Sequence, residues 1–498
     1  MNDSTRRITA SMLYDLVQCP HRVTMDIHGD PALRDEINPF VQLLWEKGTT
    51  HEHDVIDGLD VAVVDLSPHS GEEKEFLTRK AMDDAAPLIH GGRISVDNLL
   101  GYPDLLRKSN DGYIAGDIKS GAGEEGDENG RKPKKHYGVQ LSLYTDILAR
   151  CGMGASRRSF VWDIHRDEVT YDLDEPQGKR NPWTMWGVYR DALQQTQGII
   201  SRSLDTKPAY GSSCKLCHWY SACLAALEES DDLTLLPELG RAKRDAMMDR
   251  IPSISDLASI DVEGYITGRK THFLGIGPDS LRKFQARARL NVAPDAKPYL
   301  KAPLTLPLSD TELFFDIEVD PMRDFCYLHG FVERRGGDNT TEKYTAFFTD
   351  AVHAKEEERA FSEAWQYIVE RQPCVVHYYS KYERTIWRKL QSKYPRVCST
   401  EDIEDLFDPA RSVDLYFDVV KKATEWPTKD HSIKTLATFL GFEWRDTHPS
   451  GAASIEWFDQ WARSGDPSIK GRILEYNEDD CIATRALLDG IRELPYFE

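Results

Sequence analysis

The spacing of apolar and polar residues predicts strands and helices in the last third of the chain. The run LFFDIEV at 313–319 is apolar and rich in aromatic and β-branched residues, which is typical of a buried strand. Residues 374–377 predict a second buried strand followed by a helix, and ILEYNEDDCIATRAL at 473–487 has the apolar spacing of an amphipathic helix. Strands that alternate with helices predict an α/β fold here.

The first half of the chain predicts a strand hairpin between helices. Segments around Asp104 and at 114–119 have the pattern of antiparallel strands joined by a turn at 110–112. Upstream, EKGTTHEHDVI at 46–56 predicts a helix that carries His51 after a glycine. Downstream, YGVQLSLYTDIL at 137–148 predicts a helix with Gln140 and Tyr144 on one face, because they are four residues apart.

Composition divides the chain into three parts. Beyond residue 224 the sequence becomes basic and helical in pattern, and residues 241–301 hold 12 Lys and Arg against 7 Asp and Glu. Four prolines at 294–307 punctuate a stretch typical of a linker, whereas the glycine- and charge-rich segment 121–135 is typical of a mobile surface loop. We therefore predict a multidomain α/β protein with domains at 1–227, 228–307 and 308–498.

Net charge and the lack of long apolar runs indicate which classes of protein this chain can belong to. The chain has 498 residues and a net charge of −21, which counts mildly against nucleic-acid binding without excluding it. No apolar run approaches the roughly 18 residues of a membrane helix, and the N-terminus shows no secretory signal. We expect a cytoplasmic protein without membrane contact, whose nine cysteines do not form structural disulfides.

The predicted hairpin gathers three charged residues. Asp117 and Lys119 share a strand face because they are two residues apart, and Asp104 could lie opposite them. Two carboxylates can hold a divalent metal through oxygen ligands, and a lysine can position the water that attacks a phosphodiester. A surface hairpin that carries a salt bridge is the alternative interpretation.

In this order, the residues of the first half resemble the RecB-like branch of the PD-(D/E)xK nucleases, over about residues 8–225. The resemblance implies a restriction-endonuclease-like fold with metal ligands, a catalytic lysine and a supporting helix. The implied ligands are His51, Asp104, Asp117 and the carbonyl of Ile118. The implied catalytic residue is Lys119, with Gln140 and Tyr144 on the helix that supports the site and the substrate strand.

Clustered cysteines form a separate pattern. Cys214, Cys217 and Cys223 have the spacing Cys-x2-Cys-x5-Cys, and a lone Cys19 precedes the hairpin. A tetrahedral thiolate site needs a fourth ligand, which we assign to Cys19 in preference to His218. The pattern resembles the iron–sulfur RecB-type nucleases, including the CRISPR-associated family and AddB, and implies a structural 4Fe–4S cluster that ties the two ends of the domain together. Zinc on the same ligands, or no metal, are the alternatives.

The middle segment contains a short glycine turn before a basic helix. Gly275 and Gly277 precede Pro278, and this pattern resembles a helix-hairpin-helix module, in which backbone N–H groups meet a phosphate. Basic residues of the helix would add phosphate contacts: Arg282, Lys283, Arg287 and Arg289. A plain helical connector with a solvated basic face is the alternative.

A further set of acidic residues lies in the last part of the chain. Asp316 and Glu318 share a strand face, Glu383 follows the middle strand, and Tyr476 and Asp480 share a helix face. This order resembles the DnaQ-like exonucleases of the ribonuclease H-like superfamily, over about residues 311–490. The resemblance implies that the four acids bind two metals and that Tyr476 positions the water. Glu383 departs from the family's usual aspartate, and Asp414 fits a turn or strand end.

Together these patterns predict a metal-dependent nuclease with two sites that uses magnesium or manganese. The resemblance of the first half to nucleases that act on DNA implies DNA as the substrate, with single strands or DNA ends favoured. DNA repair, recombination and phage defence are all compatible with it. One alternative is a single active PD-(D/E)xK site beside a non-catalytic ribonuclease H-like domain. Another is a nucleic-acid-binding accessory subunit of a separate helicase, since the chain has no Walker A motif.

Overall fold

The chain divides into two compact units. The computed structural model describes residues 6–126, 131–178, 182–447 and 450–496. Unit 1 comprises Met1–Pro208 and Ser212–Leu224, and unit 2 comprises Ala209–Gly211 and Ala225–Glu498. No helix within the described ranges has the length and apolar character needed to cross a membrane.

Unit 1 combines short strands with longer helices. Its helices are α1 (Ala10–Gln18), α2 (Pro20–His28), α3 (Pro39–Asp57), α4 (Gly71–Asp83), α5 (Lys135–Arg150) and α6 (Met185–Ile200), and α7 (Tyr220–Glu229) begins at its end. Its strands are β1 (Ile8–Thr9), β2 (Val63–Asp65), β3 (Leu88–His90), β4 (Ile94–Val96), β5 (Leu99–Gly101), β6 (Leu105–Ser109), β7 (Gly112–Ile118), β8 (Glu124–Glu125), β9 (Lys132–Pro133), β10 (Arg158–Trp162) and β11 (Glu168–Asp172).

The predicted hairpin lies in the middle of a six-stranded sheet with the order β11-β10-β7-β6-β3-β2. β6 and β7 pair antiparallel, with Ser109 opposite Gly112, so the predicted strands and turn are confirmed. α5 packs on the sheet and is buried along most of its length, with Val139, Leu143 and Ile147 inaccessible to solvent. The end of β7 is therefore held between a buried helix and neighbouring strands, which fixes the side chains it carries.

Unit 2 contains the longer strands. Its helices are α8 (Gly240–Met247), α9 (Ile254–Ser259), α10 (Pro278–Val292), α11 (Ala354–Val369), α12 (Tyr382–Lys393), α13 (Thr400–Leu406), α14 (Lys421–Ala423), α15 (Ile433–Phe439), α16 (Gly451–Ser464) and α17 (Pro467–Arg492). Its strands are β12 (Ile266–Thr267), β13 (Lys270–Thr271), β14 (Tyr299–Leu300), β15 (Thr311–Asp320), β16 (Phe325–Arg335), β17 (Asp338–Phe348), β18 (Cys374–Tyr378), β19 (Ser412–Asp414) and β20 (Thr424–Glu425).

A five-stranded mixed sheet organises unit 2, with the order β17-β16-β15-β18-β19. β15 pairs antiparallel with β16 and parallel with β18. Successive residues of β15 enter different cores, since Phe315 packs with Trp387 on one face while Phe314 packs with Leu487 on the other. The predicted strands at 313–319 and 374–377 and the predicted helix at 473–487 are confirmed.

The segment predicted as a helical connector has a core of its own within unit 2, built from α8, α9 and α10. Arg287 on α10 is buried, whereas both the predicted phosphate contact and the alternative solvated face require an exposed side chain. Its side chain is 2% exposed, and its guanidinium donates to Glu425 at 2.8 Å and to the carbonyl of Pro237 at 2.7 Å. Arg287 follows the buried Phe284 by three residues and therefore lies on the same side of the helix.

We expect Arg287→Ala to lower the free energy of unfolding of unit 2 by roughly 3–5 kcal/mol, because it removes one partner of a buried ion pair. Arg289→Ala, on the exposed side of the same helix, should change it by less than about 0.5 kcal/mol. Denaturant unfolding of the two variants makes the comparison, and equal midpoints would contradict the buried role of Arg287.

Candidate active sites

Three carboxylates of unit 2 meet beside the central strand. Asp316 and Glu318 lie on β15, and Asp480 lies on α17, which packs against that strand. One oxygen of each side chain lies within 4.8 Å of the others. No other set of three or more acidic, histidine or cysteine side chains in the described ranges gathers this closely. The structure thus brings together three of the four acids predicted for this site.

Asp316 is oriented by a neighbour on α17. Its Oδ2 accepts a hydrogen bond from Asn477 Nδ2 at 2.7 Å, and Asn477 Oδ1 in turn accepts from the hydroxyl of Tyr344 at 2.9 Å. Gly330 lies opposite Asp316 on β16, where an added Cβ would overlap with Asn477 Oδ1. The absence of a side chain at Gly330 therefore makes room for the residue that fixes Asp316.

The other two carboxylates also have fixed partners. Glu318 Oε2 accepts from the hydroxyl of Tyr327 at 3.4 Å. Asp480 Oδ1 accepts from Lys434 Nζ at 3.0 Å and from Trp444 Nε1 at 2.7 Å. The three acids are therefore held in place before any cation binds, which is the preorganisation that a metal site needs.

Burial and mutual repulsion disfavour the charged forms of Asp316 and Glu318. Burial, and then the negative charge of Asp480, raises the pKa of Glu318 to about 8. Burial, with the charges of Asp480 and Glu318, raises the pKa of Asp316 well above its ordinary value. A divalent cation would relieve this repulsion, and oxygen-only ligands suit magnesium or manganese.

Glu383, the fourth predicted acid, lies on α12 close enough for its charge to affect Asp316. Burial, followed by the charge of Asp414, raises the pKa of Glu383 well above its ordinary value. Its Oε2 is buried without a hydrogen-bond partner among the described residues, as expected of an oxygen that could serve a cation. Asp414 ends β19 and caps the following turn by accepting from the backbone N–H of Phe417, so its predicted strand-end role is confirmed.

Tyr476 lies on α17 beside Asp480, as its helical spacing predicted. Burial, and then the charge of Asp480, raises its pKa well above the ordinary value, so the phenol stays protonated. Its oxygen accepts a hydrogen bond from Lys434 Nζ at 2.9 Å. Sequence analysis missed Lys434 and Trp444. The sequence signal for Lys434 was that it is the single charged residue in α15, whose other residues are apolar or threonine.

The raised pKa values predict an unusual pH dependence of the metal-free protein. Folded Glu318 and Asp104 keep their protons up to about pH 8, whereas unfolded carboxyls lose theirs near pH 4. Between these values the folded state binds more protons, so its stability should fall as pH rises. We expect the melting temperature to drop by several degrees between about pH 5 and pH 8, and manganese to reverse the drop. Glu318→Gln should flatten the profile, and a profile that rises with pH would contradict the assignment.

In unit 1 the hairpin brings together Asp104, Asp117 and Lys119. Lys119 Nζ lies 2.9 Å from Asp117 Oδ2. Asp104, just before β6, accepts from the backbone N–H of Ile118 at 2.8 Å, and its own N–H lies 3.4 Å from Asp117 Oδ1. The salt bridge of the alternative interpretation is therefore present, but it does not lie on the surface, since the side chain of Asp117 is 1% exposed and that of Lys119 is 21% exposed.

The pKa values in this cluster are shifted in the same way as those of the acidic cluster in unit 2. Burial, and then the charge of Asp117, raises the pKa of Asp104 to about 8. Burial alone would lower the pKa of Lys119, but Asp117 and Asp104 outweigh it and raise the pKa above its ordinary value. Glu52 on α3, which sequence analysis missed, also acts on Asp104 and is bonded to the buried His90 at 2.8 Å.

The remaining residues predicted for unit 1 lie on helices at their predicted places. His51 on α3 has its Nε2 3.2 Å from the carbonyl oxygen of Asp163. Its ligand atoms do not form a set with those of Asp104 and Asp117 within 4.8 Å, among the residues described. On α5, the hydroxyl of Tyr144 donates to the carbonyl of Tyr102 at 3.2 Å. Gln140 Oε1, also on α5, is buried without a partner in the described ranges.

The cysteine motif packs against the N-terminal helices of unit 1. Burial raises the pKa of Cys217, and the nearby thiols of Cys19 and Cys214 add to this effect. Cys223 lies one helical turn beyond Trp219, whose indole donates to Asp26 of α2 at 2.9 Å. His218 Nε2 lies 2.7 Å from the same Asp26 carboxylate. Of the five cysteines outside this motif, Cys151 is partly buried and the other four are buried: Cys326, Cys374, Cys398 and Cys481.

The glycine turn predicted for phosphate contact precedes α10. Gly275 has a φ of +74°, which glycine adopts without strain, and Gly277 caps the helix. Arg282 pairs with Glu263 through two hydrogen bonds of 2.7 and 2.9 Å, and Lys283 pairs with Glu238 at 2.8 Å. Both basic side chains are thus partly neutralised by acids of unit 2, which makes them less available to a phosphate.

One comparison with known proteins gives a match, and it lies in unit 2. A comparison with the curated proteins finds no match to the chain. Residues 313–491 match the family model RNase_H_2, described as RNase_H superfamily, and this segment holds the sheet, Asp316, Glu318 and Asp480. The ribonuclease H-like fold predicted for the last part of the chain is confirmed at the level of that superfamily.

Proposed function

We propose that the chain is a metal-dependent nuclease that hydrolyses phosphodiester bonds in DNA, with single strands or DNA ends as the favoured substrate. The observation that carries the proposal is the meeting of three carboxylates, buried or partly buried, within 4.8 Å, in a segment that matches the RNase H superfamily. Magnesium or manganese bound there would lower the pKa of the attacking water and stabilise the leaving oxygen.

We call this site in unit 2 the second site, and the site in unit 1 the first site. At the second site, different residues would bind the cation and position the attacking water. Asp316, Glu318 and Asp480 would hold the cation. The oxygen of Glu383 that has no hydrogen-bond partner among the described residues is available to complete a metal pair. Tyr476 remains protonated, so it acts as a hydrogen-bond donor to the attacking oxygen and not as a base. This is the DnaQ-like arrangement that the resemblance implies.

For unit 1 we propose a PD-(D/E)xK site with Asp104 and Asp117 as metal ligands and Lys119 as the catalytic residue. His51, the carbonyl of Ile118, Gln140 and Tyr144 keep their proposed ligand and supporting roles. The raised pKa keeps Lys119 cationic, so it would stabilise the charge that develops on the phosphate and would not abstract a proton. Glu52 is an additional carboxylate near this cluster.

We also propose that Cys19, Cys214, Cys217 and Cys223 bind a 4Fe–4S cluster that closes unit 1. The effect of the Cys19 and Cys214 thiols on the pKa of Cys217 supports it, together with the bonds between the cysteine segment and α2. Four thiolates suit either an iron–sulfur cluster or zinc. The cluster would join distant parts of the chain and stabilise the unit as a cross-link does.

Cys217→Ala should therefore lose the brown colour of anaerobically purified protein and, with it, roughly 2–5 kcal/mol of stability. Visible absorbance, iron content and thermal unfolding measure the two effects on the same sample. Cys151→Ala, a partly buried cysteine of the same unit, should keep the colour. Colourless wild-type protein with stoichiometric zinc would overturn the cluster assignment.

Cleavage of end-labelled DNA tests the proposed function. Wild type, Lys119→Ala and Asp316→Ala are compared on single-stranded DNA, double-stranded DNA and single-stranded RNA with manganese. Loss of different product patterns in the two variants would support two working sites. Binding without cleavage by the wild type would favour an accessory subunit, in which case a separate helicase would be sought as its partner.

A further inference from the structure

Lys434, near the start of α15, reaches into the carboxylate cluster of unit 2. Its Nζ lies 3.0 Å from Asp480 Oδ1 and 2.9 Å from Tyr476 Oη. The same ammonium lies 4.7 Å from the ring centroid of Tyr476 and 4.9 Å from that of Trp444, which are attractive cation–π distances. Four contacts thus hold one cation at the edge of the proposed metal site.

The two hydrogen bonds of Lys434 are not equally replaceable. Asp480 Oδ1 also accepts from Trp444 at 2.7 Å, so it would keep a donor if Lys434 were removed. The oxygen of Tyr476, by contrast, accepts its hydrogen bond from Lys434, and the described residues show no second donor to it. An ammonium group has donors and no acceptor, so in this bond Tyr476 must accept. The hydroxyl proton of Tyr476 is therefore directed away from Lys434, on the side of the Asp480 carboxylate, which accepts it in the metal-free protein.

We infer that Lys434 is a positioning residue, which orients the hydroxyl of Tyr476 so that its proton is offered to the reacting oxygen, and which does not hold the metal. The inference rests on the proposed nuclease activity of the second site. Lys434 lowers the pKa of Asp316 and Glu318 by its charge, but the same charge repels a divalent cation. It should therefore support turnover without strengthening metal binding.

A double-mutant cycle tests the link to Tyr476, in full-length protein whose first site is silenced by Asp104→Asn and Asp117→Asn. We expect Lys434→Met to lower kcat by roughly 10–100-fold with KM changed less than about two-fold, and Lys434→Arg to recover most of the loss. Lys434→Met should add little to Tyr476→Phe, since both remove the same oriented proton. Trp444→Phe is the matched control, and its effect should add to that of Tyr476→Phe.

Calorimetry of manganese binding gives a readout that does not depend on activity. Lys434→Met should bind manganese as tightly as the parent protein or more tightly. Weaker binding would overturn the inference, because Lys434 would then serve to hold Asp480. Additive effects with Tyr476→Phe, or a raised KM with unchanged kcat, would overturn it in favour of a direct phosphate contact. A parent protein that cleaves nothing would refute the proposed function, and the calorimetric result would still decide whether Lys434 serves the metal.

Discussion

Asp316→Asn should slow cleavage by the second site by roughly a thousand-fold or more. Asp316 is the central member of the acidic group, since its pKa responds to Asp480, Glu318 and Glu383 together. The substitution removes a negative ligand and leaves an amide that binds hard cations weakly, so the metal-activated water is lost. The measurement is the single-turnover rate on end-labelled single-stranded DNA, in a Lys119→Ala background that isolates the second site.

Asp310→Asn provides the matched control for this prediction. Asp310 is an exposed aspartate immediately before β15, so its substitution removes the same charge next to the same strand without touching the cluster. We expect its cleavage rate to stay within about two-fold of the background. If Asp316→Asn and Asp310→Asn cleave equally well, the carboxylate group of unit 2 is not a nuclease site, and the non-catalytic interpretation of this domain is correct.

Lys119→Met should abolish cleavage by the first site, with a loss of about a thousand-fold. The ammonium is paired with the buried Asp117 and would stabilise charge on the phosphate in a site of low polarity, where such an interaction is strong. Methionine keeps much of the side-chain volume, so the loss would report the charge and not the packing. The rate is measured on the same substrate in an Asp316→Asn background.

Lys108→Met is the control for the first site. Lys108 is an exposed lysine on β6 of the same hairpin, and its substitution should leave the rate within about two-fold. If Lys119→Met retains the full rate, Lys119 forms only a structural salt bridge with Asp117, and the hairpin is not a nuclease site.

Local sequence patterns predicted the elements that carry the sites. Residues two apart on a strand must share a face, so the pairs Asp316 with Glu318 and Asp117 with Lys119 followed from strand assignment alone. The convergence of Asp480 on Asp316, more than 160 residues earlier in the chain, was predicted only through a family resemblance. Periodicity within one element cannot determine which helix packs on which strand, and that packing creates the acidic group.

The residues that sequence analysis misjudged owe their roles to tertiary contacts. Arg287 lies in a basic run, yet it is buried because the apolar side of α10 includes it and Glu425 is available as a partner. Asn477, between the two predicted site residues of α17, has no sequence signal, although it fixes Asp316. Lys434 gains its role only because α15 packs beside α17. Such residues become visible when the partners across elements are known.

We propose above all that Asp316, Glu318 and Asp480 bind a catalytic divalent cation. The most direct test is a crystal of the full chain soaked in millimolar manganese, with data collected for the anomalous signal of that metal. We predict a peak within coordination distance, about 2.0–2.3 Å, of oxygens from all three carboxylates. A well-ordered cluster with no anomalous peak there, in a crystal that shows manganese elsewhere, would contradict the claim.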